Sequence, residues 1–150
     1  MSKHLYAVPQ CIQGQCDQTR YSRWLHRKAV AHARRDRKRE RPCTITEYKG
    51  QIHAAVSASG HQDSYTGEPL NWTLVNTYDN ESSKSGRARY KKTLALLPTL
   101  DHTLDEQGQP KFVICSWYVN DAKSDLTLAE FYELCERVLR HRDNRIRQGS

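Results

Sequence analysis

Two polar groups in this sequence have the residue types and spacing for hydrolytic chemistry. Asp101-His102 follows directly on an apolar run, Thr93–Leu100. Eighteen residues after His102 comes Asn120-Asp121-Ala122-Lys123-Ser124-Asp125, directly after a second run, Phe112–Tyr118. If the two runs pair as a hairpin, a carboxylate, an imidazole and an amide oxygen gather in one place. Carboxylate and amide oxygens are hard ligands, suited to one Mg2+ or Mn2+ ion. A neutral imidazole takes a proton from water near neutral pH. Such a group can hydrolyse a phosphodiester, the base making the nucleophile and the metal neutralising charge on the leaving oxygen. Taken singly, an Asn after a strand is more often a turn or cap residue. The order of the whole set carries the reading.

Several elements must position these residues. Phe112–Tyr118 is strand by residue type. Thr93–Leu100 is interrupted by Pro98, which suits an edge or bent strand. Asp105 to Pro110, with Gly108, reads as the turn between them. Thr127-Leu128-Ala129-Glu130 is a capping box that opens a helix. Its apolar positions Leu128, Phe131, Cys135, Val138 and Leu139 keep helical spacing. His141, Arg142, Arg145 and Arg147 suit its C-terminus. Upstream, 19–41 reads as a helix capped by Thr19 or Ser22 and ended by Arg41-Pro42. Trp24, Leu25, Lys28, Ala29, His32 and Ala33 form a thin stripe on it, predicting weak docking along one side. Thr44-Ile45-Thr46-Glu47 caps a second helix, with Tyr48, Ile52, Ala55 and Val56 on one face and Gly60 at the place of a left-handed cap. Asp63 to Leu70 is turn-rich. Residues 70–78 suit strand or helix, and 79–89 a polar loop. No internal repeat is present.

At 150 residues with 37% apolar content, the chain suits one domain with a small core. Its apolar runs fall short of a membrane span. Met1-Ser2-Lys3-His4 has no apolar run behind it, so no secretory signal is expected and a cytoplasmic location is. Charge is uneven. Arg20 to Arg41 holds ten Lys/Arg against two acids, while the whole chain is only +7. The rest is therefore close to neutral. One basic segment on a balanced body suits a polyanion, most simply nucleic acid. Arg87, Arg89, Tyr90, Lys91 and Lys92 form a second basic cluster. Five cysteines without a signal suggest reduced thiols. Cys11 and Cys16, with Cys43 or His26, are spaced more loosely than a zinc knuckle, and no second pair follows.

Leu97-Pro98-Thr99-Leu100-Asp101-His102 resembles the Asp-His strand end of the HNH endonucleases, the ββα-metal nuclease family. Asn120-Asp121-Ala122-Lys123-Ser124-Asp125 and the following Leu126-Thr127-Leu128-Ala129-Glu130-Phe131 resemble that family's Asn-x-x-Lys-x-Asp segment and helix. Asp63 to Leu70 is similar to the stretch where many members carry a zinc knuckle. The resemblance covers roughly residues 61–140. It implies His102 as general base, Asp101 and Asn120 as ligands of one Mg2+ or Mn2+ ion, and Lys123 as a phosphate contact or partner of Asp125. It departs from the family at the knuckle. Asp63 and Thr66 stand in the first cysteine pair's places, Ser116 and Val119 in the second's, and Cys115 is one residue out of register. Structural zinc is not expected. The family's middle Asn is also missing, with Asp105 or Gln109 the candidates to replace it.

The expected architecture is α+β: a ββα-metal hairpin-plus-helix core at 61–150 with a basic helical extension at 1–60. The expected activity is hydrolysis of DNA, with RNA a lesser substrate and no membrane partner. Arg27, Lys28, Arg34, Arg35, Lys38, Arg87, Arg89, Lys91 and Lys92 would contact phosphates. A homodimer is compatible with the sequence. The competing expectation is a non-catalytic nucleic-acid-binding protein on a decayed HNH scaffold.

Overall fold

The structure is a computed structural model describing residues 5–77, 92–105 and 107–149. Its elements in chain order are α1 (Gln18–Lys38), α2 (Ile45–Ser59), β1 (Pro98–Leu104), β2 (Pro110–Ser116), α3 (Trp117–Lys123) and α4 (Leu128–Gln148). Single 3-10 turns lie at Gln10–Ile12 and Trp72–Leu74. Helices with a two-stranded antiparallel sheet make an α+β architecture. The chain divides into two units, Met1–Asn120 and Asp121–Ser150.

Helix α1 starts at Gln18, ahead of the Thr19 and Ser22 that could have capped it. Asp17 is the cap, its Oδ1 accepting the Arg20 N–H at 2.9 Å. Such a cap satisfies an orphan donor and contributes about 1 kcal/mol. The helix ends at Lys38, well before Pro42, and Glu40 turns the chain with φ 59°. Its buried face is Tyr21, Trp24, Leu25, Ala29, His32, Ala33 and Asp36. That is a full docking stripe, so α1 belongs to the core rather than lying loosely on it.

Helix α2 carries the expected capping box. Thr44 Oγ1 accepts the Glu47 N–H, and Glu47 Oε2 accepts the Thr44 N–H at 2.8 Å. Tyr48, Ile52 and Val56 are its buried face. Gly60 is not left-handed, since its φ is −66°. It is needed for space. A Cβ there would stand 2.6 Å from the Val56 carbonyl oxygen. The Gly60 carbonyl in turn accepts the Trp72 indole N–H at 2.5 Å.

Strand β1 lies later than its apolar run suggests, and β2 earlier. Lys92 and Thr93 are helical and 94–96 form a turn. Pro98 opens β1, where a missing N–H is tolerated. Register pairs Pro98 with Ser116, Leu100 with Ile114, Asp101 with Val113 and His102 with Phe112. Strand β2 stops at Ser116, and Trp117 and Tyr118 begin α3 despite their β-favouring side chains. Their N–H groups bond the Leu97 and Ala95 carbonyls at 2.8 and 3.2 Å. That tie turns the chain back over the start of β1.

The core lies where α1 packs on α2 and both meet Leu100, Phe112 and Ile114 of the hairpin. Trp24 and Trp72 meet edge to face at 4.9 Å, and Tyr21 packs beside them. In the second unit, α4 has the expected Thr127–Glu130 capping box, and none of its residues is fully buried. Among the described residues, no helix is long and apolar enough to cross a membrane.

Gly60→Ala is expected to lower stability by about 1–3 kcal/mol, the usual cost of forcing atoms into a filled site. Urea unfolding checks it. An unchanged midpoint would contradict the close approach to Val56.

Candidate functional site

Side chains alternate across a strand. Leu100 and His102 therefore face the helices, while Thr99 and Asp101 face the other way. The sequence reading gathered carboxylate and imidazole in one place. The hairpin sets them on opposite faces of β1.

On the helical face, His102 Nδ1 lies 3.2 Å from Asp36 Oδ2. Its ring stacks on Phe112 at 4.3 Å, with His32 and Tyr48 edge-on to it. The Tyr48 hydroxyl donates to the same Asp36 oxygen at 2.5 Å. Asp36 is fully buried and the His102 side chain is 8% exposed. Three buried atoms, Asp36 Oδ1, His102 Nε2 and His32 Nδ1, find no hydrogen-bond partner among the described residues. Burial pulls the His102 pKa down, Asp36 works against it, and Arg41, Arg35 and Arg39 add to the lowering. The imidazole is therefore neutral at pH 7. His32 is pushed down to about 3, by burial first and by Arg35 next.

In the sequence Asp36 counts only as one of two acids in the basic segment. An acid within a run of arginines reads as a solvated residue. The signal was there all the same: the apolar stripe stopped at Ala33, and one further step, four residues past His32, reaches Asp36.

On the opposite face, Asp101 is almost buried and accepts the Tyr65 hydroxyl on Oδ2 at 2.5 Å. Thr99 Oγ1 accepts Lys28 Nζ at 2.8 Å. Cys115 pairs across from Thr99. Burial pushes its thiol up to about 12, with Asp63 and Asp101 adding to the rise.

The four positions that lack knuckle cysteines are nonetheless joined. Asp63 Oδ1 accepts the N–H groups of Tyr65 and Thr66 at 2.7 and 3.0 Å. Its Oδ2 accepts the Ser116 N–H at 2.6 Å, and Ser116 Oγ accepts the Val119 N–H at 3.2 Å. The Ser64 N–H adds a bond to the Ile114 carbonyl. One carboxylate thus ties the 63–66 turn to the 116–119 turn. The β1–β2 turn is braced in the same way. Asp105 Oδ1 accepts the N–H groups of Gln107 and Gln109, and Gly108 supplies a φ of 75°.

Asn120 lies on the first turn of α3 and is half-buried, rather than directly following a strand. Lys123 is the last residue of α3 and is buried, so it is not a solvated helix lysine. On α1, Arg27, Arg34, Arg35 and Lys38 are exposed. Lys28 differs from them: its ammonium is turned to Thr99, and burial, then Arg27, lowers its pKa to about 8. Lys92 is exposed, while Arg87, Arg89 and Lys91 lie outside the described residues. The five cysteines are free thiols; Cys11 Sγ donates to the Val56 carbonyl at 3.3 Å and Cys43 Sγ to the Ala33 carbonyl at 3.6 Å.

The chain matches no protein-family model, no curated protein and no solved structure.

Asp63→Ala strips the acceptor from three backbone N–H groups. A loss of about 1–3 kcal/mol is expected, chiefly from the Ser116 N–H left buried, since the Tyr65 and Thr66 N–H groups lie nearer the surface. Asp63→Asn should fall between it and the native chain in urea unfolding. Equal midpoints for Ala and native chains would remove the carboxylate link from the account.

The buried imidazoles set a pH dependence. His32 has a folded pKa of about 3, below its unfolded value of about 6.5. The unfolded chain therefore binds the proton first. Stability is full above about pH 6.5 and falls as pH drops toward 3, by at most about 1.4 kcal/mol per pH unit for this residue. His102 shifts in the same direction. Urea midpoints should fall between pH 7.5 and pH 5, and His32→Phe should flatten that slope. A midpoint independent of pH across this range would contradict the neutral core histidines.

Proposed function

We propose that this chain is a metal-dependent nuclease of the HNH kind, built on a ββα core, that hydrolyses the DNA backbone. One observation carries the reading. A neutral imidazole, held at Nδ1 by a buried carboxylate and left without a partner at Nε2, sits on the first strand of a strand–strand–helix succession. The same strand carries Asp101, on its opposite face, and the helix that follows carries Asn120.

His102 Nε2 is the atom that takes a proton from the attacking water. Asp36 fixes the ring and stabilises the imidazolium that forms, as a carboxylate does behind a catalytic histidine. Asp101 and Asn120 would hold one Mg2+ or Mn2+ ion. Such an ion supplies positive charge to the scissile phosphate and the leaving oxygen. The donor set fits that ion, being two hard oxygens that leave its other positions to water and phosphate. Among the described residues no three His, Cys, Asp or Glu side chains are grouped as metal ligands; one carboxylate with one amide requires no such group. Arg27, Arg34, Arg35 and Lys38 contact phosphates along α1, which positions the strand without reading sequence.

A second reading has its own support. The imidazole is covered by α1 and α2 and only 8% exposed. A protein that binds DNA through α1 and does not cut it would keep His102 as a core residue.

Supercoiled plasmid, with Mg2+ and then Mn2+, separates the two. The native chain is expected to nick it. Asn120→Ala and His102→Gln, each confirmed folded by circular dichroism, should lose about a hundredfold or more in rate. Both should still shift DNA in gels, with affinity falling as salt rises. Salt-dependent binding with no cleavage in either metal would favour the second reading.

A further inference from the structure

A cleft of about 350 Å³ lies between α1 and the start of the hairpin. Trp117 and Leu97 give it apolar walls with the buried Trp24 behind them, and Arg27, Lys28 and Thr99 bring polar atoms to it. We infer that this cleft is a subsite for one unpaired nucleotide of a DNA strand, its base lying against the Trp117 indole and its phosphate on Arg27 and Lys28. The inference rests on the nuclease reading and names where the strand next to the cut is held.

Size argues for a single ring system. The volume is at the low end for small-ligand sites. It suits one flat heterocycle and is too small for a folded peptide. Chemistry argues for a base joined to an anion. Indoles favour flat rings, and base stacking on aromatic side chains tolerates any base. Two cations at the same cleft favour an attached negative group. Arg27 is held in place by a hydrogen bond to Asn76 Oδ1, and Lys28 by Thr99. These cations are therefore fixed before any ligand arrives. Burial lowers the Lys28 pKa to about 8, and a bound phosphate would raise it again.

Position argues for a place beside the chemistry. Thr99, at the cleft, and Asp101 share one face of β1 and stand two residues apart. That is about 7 Å along a strand. A nucleotide in the cleft would neighbour the phosphate that Asp101 serves. A duplex cannot enter, because its bases are paired and stacked. The subsite therefore favours single strands, frayed ends or gaps.

The test uses the full chain with EDTA present, so that nothing is cut. Fluorescence anisotropy follows three labelled probes: a short single strand, the same strand made of abasic residues, and a duplex. The native chain should hold the single strand about tenfold tighter than the abasic strand, the scale of one stacked base. Ala31→Phe fills the cleft from an exposed position on α1 and removes no cation. It should abolish that tenfold preference and leave duplex affinity unchanged. Lys28→Gln should weaken the single strand more than the duplex, which keeps the test open if the filled variant does not fold. Duplex binding with equal affinity for single and abasic strands would overturn the subsite alone. A base preference surviving both variants would overturn it too. No binding to any probe would overturn the subsite and the nuclease reading together.

Discussion

One buried carboxylate organises the first unit. Asp36 is fully buried, and a carboxyl group in such a place is costly unless it is hydrogen-bonded. Its two donors come from two other elements, Tyr48 of α2 and His102 of β1. Both donors meet at Oδ2, so the bonds to that one oxygen fix α1 against α2 and draw the hairpin onto both. The donors also pack on each other and on Phe112, so the polar contact and the aromatic contact hold the same geometry. His102 is a structural residue by this account, whatever else it does. In the nuclease reading, its chemistry is performed by an atom the core has already immobilised.

The hairpin consequently has two unlike faces. The face toward the helices is ring-rich and closed. The other gathers Asp101, Tyr65, Cys115, Thr99 and the Lys28 ammonium, all tied to one another or to nearby backbone. Helix α1 serves both. Its stripe from Trp24 to Asp36 builds the core, while its outward arginines make the most basic surface of the chain. The segment that looked like a basic attachment is thus part of what shapes the hairpin.

What could be read from sequence was local. Both capping boxes, Thr44–Glu47 and Thr127–Glu130, appear where expected, because each closes within four residues and needs no distant partner. The turn at Asp105 to Pro110 was legible for the same reason. The strand boundaries were not. Trp117 and Tyr118 are strand-formers by type, yet their N–H groups are claimed by Leu97 and Ala95, and no short window contains that competition. The helix start was misplaced because Asp17, Thr19 and Ser22 are all competent caps. Among the candidate site residues, Asp101, His102 and Asn120 were visible through their spacing. Their facing was not, since the apolar run ends at Leu100 and only a strand that continues to Leu104 sends Asp101 and His102 to opposite faces. Asp36 and Asp63 were hardest, because a carboxylate that accepts distant donors looks the same in sequence as one in water.

The carboxylate link at Asp63 changes what the fold depends on. Proteins that pin two turns together with thiolates and a metal inherit that metal's supply and the thiols' redox state. Here the clasp is made of one side chain and three peptide N–H groups. It assembles as the chain folds, with nothing to acquire. Neither a chelator nor an oxidant has anything in that clasp to remove. The same turns could therefore hold their shape in surroundings poor in zinc or rich in peroxide, where a thiolate centre would come apart.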